Sequence, residues 1–258
     1  MQLGVPATPR QSLFGGFPLS FLAESDAASP EWREAFIATC LERDVPRLGI
    51  RVSATTLGRF WQMLAHAHGQ IWNASTIAAS LGVSPPTVRH YLGILQDSFL
   101  LRQLQPFHAD LRKRCVKSQK VYVRDSGLLH GLLGLGSLDD LLGHPVAGPS
   151  WEGWVIEQII AAAPQSWKPW FYRTGAGAEI DLILEQPGKR RLLAFDVSLA
   201  GAPRLPKGFL LALEDVKPAE AFHGIREMDR PTGRAIAEPS TRNVRSQTAI
   251  FCSSPART

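Results

Sequence analysis

The amino-acid sequence predicts an α+β protein with two units, one mainly helical and one built around a small sheet. Between residues 30 and 95, apolar residues recur every three or four positions in successive segments, which is the spacing of amphipathic helices. From about residue 146, one amphipathic helix precedes three short apolar runs that are separated by turn residues, as is typical of strands. We therefore expect an extended lead-in, a helical domain, a sheet domain and an unstructured tail, at residues 1–29, 30–145, 146–215 and 216–258.

Composition and charge limit the function classes. The chain has 258 residues and a net charge of +5, with an isoelectric point near 9.4, which favours an anionic partner. Its three cysteines, Cys40, Cys115 and Cys252, are far apart, so neither a disulfide framework nor a zinc site is expected. No apolar run reaches 18 residues and the N-terminus has no apolar signal core, so we expect a cytoplasmic protein without a membrane segment.

The helical domain begins after a lead-in that contains GGFP at Gly15 to Pro18. From Pro30, one apolar face is predicted, with Arg33 on another face, and the helix ends near Pro46. That apolar face consists of Trp32, Phe36, Ile37, Cys40 and Leu41. Further on, Asp125 is expected to cap a short helix that follows a strand.

A helix-turn-helix is predicted in the middle of this domain. Thr55 or Thr56 caps a first helix, Asn73 precedes a short second one, and Ser84 caps a third with Pro85 at its first position. Two β-rich runs follow, FLLRQLQPF and KVYVR. Short helix, turn with a glycine, second helix and then a pair of strands is the layout of a winged helix-turn-helix.

This layout predicts DNA contacts. Ser84, Thr87, Arg89 and His90 would face the major groove from the third helix. The run LRKRCVKSQK has five basic residues and no acid, which exceeds an ordinary solvated face. We expect phosphate contacts from the basic side chains Arg102, Arg112, Lys113, Arg114, Lys117 and Lys120. The alternative is a winged helix that contacts another protein.

Acidic residues on neighbouring strands suggest a metal site in the second domain. The helix SWEGWVIEQIIAAA is followed by PWFYR, EIDLILE and RLLAFDV, with GFLLALE (208–214) as a possible fourth strand. Asp181 and Asp196 have apolar neighbours on both sides, which places them in the sheet, where a carboxylate without a partner is costly. Carboxylate oxygens are the ligands that Mg²⁺ prefers. The alternative partner for the region of Asp181 is an ion pair with Arg173.

Several motifs in one order resemble a known family. They cover about residues 13–198 and comprise GGFP, LERDV (41–45), LAHAHGQ (64–70), VSPPTVRHYLGIL (83–95), KSQKVYVRDSGLL (117–129), GPSWEGWVIEQI (148–159), FYRT (171–174) and AEIDLIL (178–184). In this respect the chain resembles the C-terminal region of prokaryotic AAA-type ATPases, domain of unknown function 4143. The resemblance implies a restriction-endonuclease-like fold for the last part. It also implies metal-binding acids at Asp181 and Asp196, with a further acid at Glu157 or Glu152.

The chain departs from this family in two features, and these decide the expected function. Ser198 stands where a nuclease lysine would help activate water, and the chain has no GxxxxGK[ST] motif, so no nucleotide is expected. Our leading hypothesis is a DNA-binding or regulatory module of an AAA-type ATPase system, with a degenerate nuclease-like domain. One alternative is a Mg²⁺-dependent nuclease that uses Lys189 or Arg190. The other is a protein-interaction remnant that partners a separate ATPase.

Overall fold

The computed structural model describes residues 9–49, 52–108, 115–188, 191–199, 205–225 and 244–245. These residues form two compact units. The helical unit consists of residues 9–103 and 118–154, and the sheet unit takes its described residues from 104–117 and 155–245. The predicted α+β class is confirmed.

Helices make up most of the helical unit. They are α1 (Pro9–Phe14), α2 (Pro18–Phe21), α3 (Ala28–Thr39), a π-helical turn (Cys40–Asp44), α4 (Val45–Arg47), α5 (Ala54–His66), α6 (Ala74–Leu81), α7 (Pro85–Asp97), α8 (Ser126–Leu132) and α9 (Leu138–Leu142). The long helix α10 (Ala147–Ala162) begins in this unit and continues into the sheet unit. No helix in the described ranges is long and apolar enough to cross a membrane.

The structure corrects the prediction of an extended lead-in. Helices α1 and α2 occupy that segment, and Leu13 and Phe14 are buried in the core of the helical unit. Pro18 stands at the first turn of α2, where its missing N–H is tolerated. Gly and Pro residues suggested loops here, whereas burial of the apolar side chains between them decides the fold.

The predicted helices of the central segment are confirmed. Phe60, Trp61 and Leu64 of α5 are buried at helical spacing. They share a core with Val88 and Leu95, among others, of α7. Asn73 and Ser84 cap α6 and α7 as predicted, whereas the predicted cap of the first helix at Thr55 or Thr56 is wrong, because α5 begins at Ala54 after Ser53 and has no side-chain cap.

Three short strands accompany these helices. They are β1 (Gln70–Ile71), β2 (Leu101–Pro106) and β3 (Lys120–Val123), with β3 between β1 and β2. β1 is antiparallel to β3. The chain enters the sheet unit within β2, at Leu104. The two predicted strands on either side of the basic run are thereby confirmed.

The sheet unit has a mixed sheet. Its strands lie in the order β2, β4 (Lys168–Arg173), β5 (Glu179–Gln186), β6 (Arg191–Val197), β7 (Glu220–Ile225) and β8 (Val244–Arg245). Strands β4, β5 and β6 are antiparallel to one another, whereas β2 pairs parallel with β4 and β7 pairs parallel with β6. The predicted strands PWFYR, EIDLILE and RLLAFDV are confirmed.

Two predictions for the end of the chain are wrong. The run GFLLALE is not a strand but part of helix α11 (Lys207–Val216), which packs on β5. It buries Phe209, Ala212 and Val216, a spacing of three and four that a short apolar run does not reveal by itself. Strand β7 lies inside the range 216–258 that was predicted to be unstructured, because parallel pairing with β6 supplies the order that its own sequence does not signal.

Candidate functional site

The N-terminus of α7 presents polar side chains to solvent. The Ser84 hydroxyl accepts a hydrogen bond from the Thr87 backbone N–H (3.3 Å) and lies 2.8 Å from the Thr87 hydroxyl. Pro85 occupies the first helical position, as predicted. Ser84, Arg89 and His90 are exposed and Thr87 is half-buried. The four residues predicted to contact DNA therefore lie on one well-capped helix, within reach of solvent.

The turn before α7 is equally well defined. The Asn73 side chain accepts hydrogen bonds from the backbone N–H groups of Ser75 (2.9 Å) and Thr76 (3.4 Å), which caps α6. Gly82 ends α6 with φ of 68°, a left-handed conformation that favours glycine. These local contacts fix the angle at which α7 leaves the turn.

A groove borders the next turn of α7. Its volume is about 880 Å³, and Arg89 and His90 lie on one wall. The other lining residues are mostly apolar. They lie between α3 and the residue after α4, and along α7 to just beyond its C-terminus: Phe36, Cys40, Asp44, Val45, Leu48, Gly93, Ile94, Asp97, Ser98 and Leu100. Burial raises the pKa of the Cys40 thiol to about 11, with Asp44 adding to the shift, so this cysteine is a thiol and not a reactive thiolate.

The basic residues predicted to contact phosphate differ in how exposed their side chains are. Arg112, Lys113 and Arg114 lie outside the described residues. Lys117 is exposed and Arg102 is half-buried. Lys120 is not available to phosphate, which corrects the prediction, because its side chain is only 3% exposed and its Nζ lies 3.1 Å from Glu152 Oε1.

Glu152 belongs to a buried polar cluster that the sequence did not indicate. Its Oε1 accepts a hydrogen bond from Lys120 and another from the Tyr122 hydroxyl (2.5 Å). Lys120 and Tyr122 are two residues apart on β3, so their side chains share one face of the strand. Because a buried ammonium needs a counter-ion, Glu152 stabilises the fold here and is not the free carboxylate that the resemblance implied as an alternative to Glu157.

Two buried histidines hold the start of α10. His68 Nδ1 accepts from the Val123 N–H (3.1 Å), so its Nε2 carries the proton and donates to the Pro149 carbonyl (3.1 Å). His130 Nδ1 donates to the carbonyl of Leu13 (2.8 Å), and its Nε2 accepts from the Ser150 hydroxyl (2.8 Å). Burial lowers the pKa of His68 to about 3 and that of His130 to about 4.

Arg33 and Asp125 form a second buried group. Asp125 caps α8, as predicted, by accepting from the Leu128 N–H (2.8 Å), and it also accepts from the Gly16 N–H (2.7 Å). Arg33, predicted on an outer face of its helix, is instead buried and donates to the Gly127 carbonyl (2.9 Å). Burial lowers the pKa of Arg33, and the charge of Asp125 opposes that shift. Burial also raises the pKa of Asp125, and the hydrogen bonds from the Gly16 and Leu128 N–H groups and the charge of Arg33 oppose that shift.

The predicted metal ligands lie on neighbouring strands of the sheet unit. Leu182 of β5 pairs with Phe195 of β6, so Asp181 and Asp196 are the next residues at that end of the two strands. Asp181 Oδ2 accepts from the Val197 N–H (2.9 Å). Asp196 Oδ2 lies 2.8 Å from Nδ1 of His223 on β7, which donates to it.

These partners bear on the fit to a metal ion. Within the described parts of the chain, no group of three or more His, Cys, Asp or Glu side chains is placed to hold one. Glu157, half-buried on α10, therefore does not complete a cluster with the two aspartates. Arg173 has Glu179 as its ion-pair partner (3.6 Å). The metal site and the catalytic role of these acids stay predictions, and Lys189 and Arg190 lie outside the described residues.

His223 is the residue of this candidate site that sequence reasoning missed. It lies in the segment predicted to be unstructured, and no motif marks it. Its side chain is 9% exposed and that of Asp196 is 13% exposed. Strand β7 follows helix α11 and returns parallel to β6, which brings His223 to Asp196. The sequence predicted neither the helix α11 nor the strand β7.

Two family models match the chain. Domain of unknown function DUF8612 matches residues 7–139, and domain of unknown function DUF4143 matches residues 147–250. The resemblance to the DUF4143 region is confirmed for the second part of the chain. The expectation that one family accounts for residues 13–198 is corrected, because a separate model matches the first part.

Curated relatives add no stated activity. An uncharacterized protein of Mycobacterium tuberculosis and an uncharacterized protein of Mycobacterium bovis are each 42% identical over 218 residues, which is 84% of this chain and 48% of each relative. The chain thus spans about half the length of the curated relatives it matches. No solved structure matches it.

Proposed function

The chain belongs to the DUF8612 family. Because its second part also matches DUF4143, we propose that it is a DNA-binding or regulatory module of an AAA-type ATPase system. The N-terminal turn of α7 and the basic segment between β2 and β3 make the DNA contacts. The observation that carries this proposal is the exposed, capped start of α7 with Ser84, Arg89 and His90 on its surface.

The order of elements supports a winged helix-turn-helix. Helix α5 is followed by β1, then by α6 and α7 on either side of a tight turn, and then by β2 and β3. Strand β3 lies between β1 and β2, as in a winged helix. In this arrangement the second helix of the turn enters the major groove and reads base edges with its N-terminal residues.

Charge supports an electrostatic contribution to binding. The protein carries a net charge of +5, and the segment from Leu111 to Lys120 has five basic residues. Each phosphate that a basic side chain neutralises releases counter-ions, so affinity falls as salt rises. Lys120 is excluded from this set by its ion pair with Glu152. Arg112, Lys113, Arg114 and Lys117 remain its proposed members.

The sheet unit supplies the nuclease-like part of the proposal. The order α10, β4, β5, β6, α11 and β7 is similar to a restriction-endonuclease-like core, with Asp181 and Asp196 at adjacent positions of β5 and β6. Ser198 in place of the lysine, and the contact between Asp196 and His223, favour a degenerate unit. A Mg²⁺-dependent nuclease is the second candidate, favoured by the adjacency of the two aspartates. In that case the ion would polarise the scissile phosphate.

A third candidate, protein interaction, is favoured by the groove beside α7. Its apolar walls suit a protein partner, and Leu48 on its edge is exposed. A separate ATPase is the partner we propose in this case, because the second part of the chain matches DUF4143, the region that resembles the C-terminal part of AAA-type ATPases.

One titration separates the candidates. Fluorescence anisotropy of labelled duplex DNA is followed across a salt series, with one arm in Mg²⁺ and one in EDTA. Binding that weakens steeply with salt supports the DNA-binding module, and cleavage confined to the Mg²⁺ arm supports the nuclease. No binding at about 50 mM salt, where phosphate contacts are strong, contradicts both and leaves the protein-interaction candidate.

A further inference from the structure

The two aspartates of the sheet unit need compensation for their charges. Asp181 and Asp196 stand side by side at one end of the β5–β6 pair, and the Asp196 side chain is only 13% exposed. Two carboxylates on adjacent positions of neighbouring strands repel each other, and burial adds a free-energy cost for each ionised carboxylate. Something must therefore donate to them, either a bound cation or groups of the protein.

The protein supplies the donors itself. The Val197 N–H donates to Asp181 Oδ2 (2.9 Å), and His223 Nδ1 donates to Asp196 Oδ2 (2.8 Å). A hydrogen bond to a carboxylate is among the strong ones in proteins. One oxygen of each aspartate is thereby taken by a group on β6 or β7.

The fold holds His223 in this place. Strand β7 runs parallel to β6 with Ala221 opposite Ala194 and Phe222 opposite Phe195. The register shifts between Phe195 and Val197, and His223 meets Asp196 at this irregularity. The imidazole is 9% exposed, and its ring centroid lies 6.2 Å from that of Phe209 on α11. Among the described residues, Nε2 of His223 has no hydrogen-bond partner, so the contact with Asp196 is the polar interaction that orients the ring.

We propose that His223 closes the aspartate pair to divalent cations, so that Asp181, Asp196 and His223 form a metal-free clamp between β5, β6 and β7. A hard cation needs open carboxylate oxygens, and Mg²⁺ tolerates little departure from octahedral geometry. For Asp196 Oδ2 to coordinate such an ion, His223 would have to leave it and remain buried with neither nitrogen bonded. This inference rests on the proposal that the sheet unit is a degenerate nuclease-like unit, and it names the residue responsible.

Metal uptake by the full chain tests the clamp. The probe is Mn²⁺, whose free ion gives an electron paramagnetic resonance signal that falls on binding, with Mg²⁺ as competitor. The variants are His223→Ala, which removes the donor, and His223→Gln, which keeps one. We expect no uptake by the native protein or by His223→Gln. We expect uptake by His223→Ala, with an affinity at least tenfold above the weakest that the assay detects, and loss of that uptake when Asp196→Asn is added.

Each outcome decides the proposal. Equal uptake by the native protein and His223→Ala overturns it, and so does a folded His223→Ala variant that takes up no Mn²⁺. If His223→Ala does not fold, His223→Val replaces it with the same expectation, because valine also lacks a donor and suits a strand. DNA binding by the helical unit is measured separately, so failure of the clamp and failure of the proposed DNA-binding function are distinguishable.

Discussion

Acidification should destabilise this protein through His68 and His130. Both side chains are neutral in the fold, with pKa values of about 3 and about 4, whereas an unperturbed histidine titrates near 6.5. A histidine whose pKa is lowered by folding stabilises the folded state fully above its unfolded pKa. That contribution is lost as pH falls from about 6.5 towards the folded pKa, because the unfolded chain binds the proton first.

The magnitude follows from these pKa values. At pH 5 an unfolded histidine is almost fully protonated, whereas the folded one is still neutral. Each histidine therefore lowers the free energy of unfolding by about 2 kcal/mol, because pH 5 is about 1.5 units below 6.5 and each unit corresponds to about 1.4 kcal/mol. The two histidines together should lower the free energy of unfolding by about 4 kcal/mol between pH 7.5 and pH 5. This is a large share of the stability of an ordinary domain.

Urea unfolding at pH 7.5, 6 and 5 measures this effect. His68→Gln keeps an acceptor for the Val123 N–H and a donor for the Pro149 carbonyl but cannot titrate, so it should remove about half of the pH dependence. The matched control is His66→Gln, on the exposed side of α5, which should leave it unchanged. A pH dependence that is the same in His68→Gln as in the native protein would refute the reasoning.

Substitutions in three other buried contacts are tested by chemical denaturation. Asp125→Ala removes a helix cap and the charge that compensates a buried guanidinium, and should cost about 3–5 kcal/mol. Glu152→Gln removes the charge that Lys120 pairs with and should cost a similar amount, about 3–5 kcal/mol. Glu152→Leu combined with Lys120→Met and Tyr122→Phe should recover most of it, because no buried polar group of this cluster then loses its partner. Gly153→Ala places a Cβ 2.5 Å from Nε2 of His68 and should cost about 1–3 kcal/mol.

Matched controls accompany these variants. Asp125→Asn keeps an acceptor for the cap but loses the charge, so it should destabilise less than Asp125→Ala. Equal losses would contradict the role of the cap, and an Asp125→Asn variant as stable as the native protein would contradict the role of the charge. Gly148→Ala adds a Cβ with nothing within 4 Å and should be tolerated on the same helix where Gly153→Ala is not. If the variant with Glu152→Leu, Lys120→Met and Tyr122→Phe is no more stable than Glu152→Gln, the loss in Glu152→Gln does not come from an unpaired Lys120 ammonium.

Local signals predicted much of the helical unit. Asn73, Ser84 and Asp125 cap helices because a short polar side chain reaches backbone N–H groups two or three residues ahead, and the sequence alone contains that information. Apolar spacing likewise indicated α5 and α7, and apolar runs indicated β4, β5 and β6.

Long-range pairings could not be predicted in this way. His223 meets Asp196 only because α11 intervenes and β7 returns parallel to β6, and the apolar run of α11 fits a strand as well as a helix. Lys120 was assigned to phosphate because it ends a basic run, whereas its burial depends on Glu152, 32 residues away. A charge run in sequence does not show which member of it turns inward.

The comparison of two single-charge variants tests the central claim most directly. Arg89→Ala removes an exposed charge from α7, and Arg59→Ala removes another exposed charge from α5. We expect Arg89→Ala to weaken binding of duplex DNA by about tenfold and to reduce the dependence of log K on log salt by about one unit for a phosphate contact. Arg59→Ala should leave both close to native. Equal effects of the two substitutions, or no effect of either, would contradict DNA binding through α7.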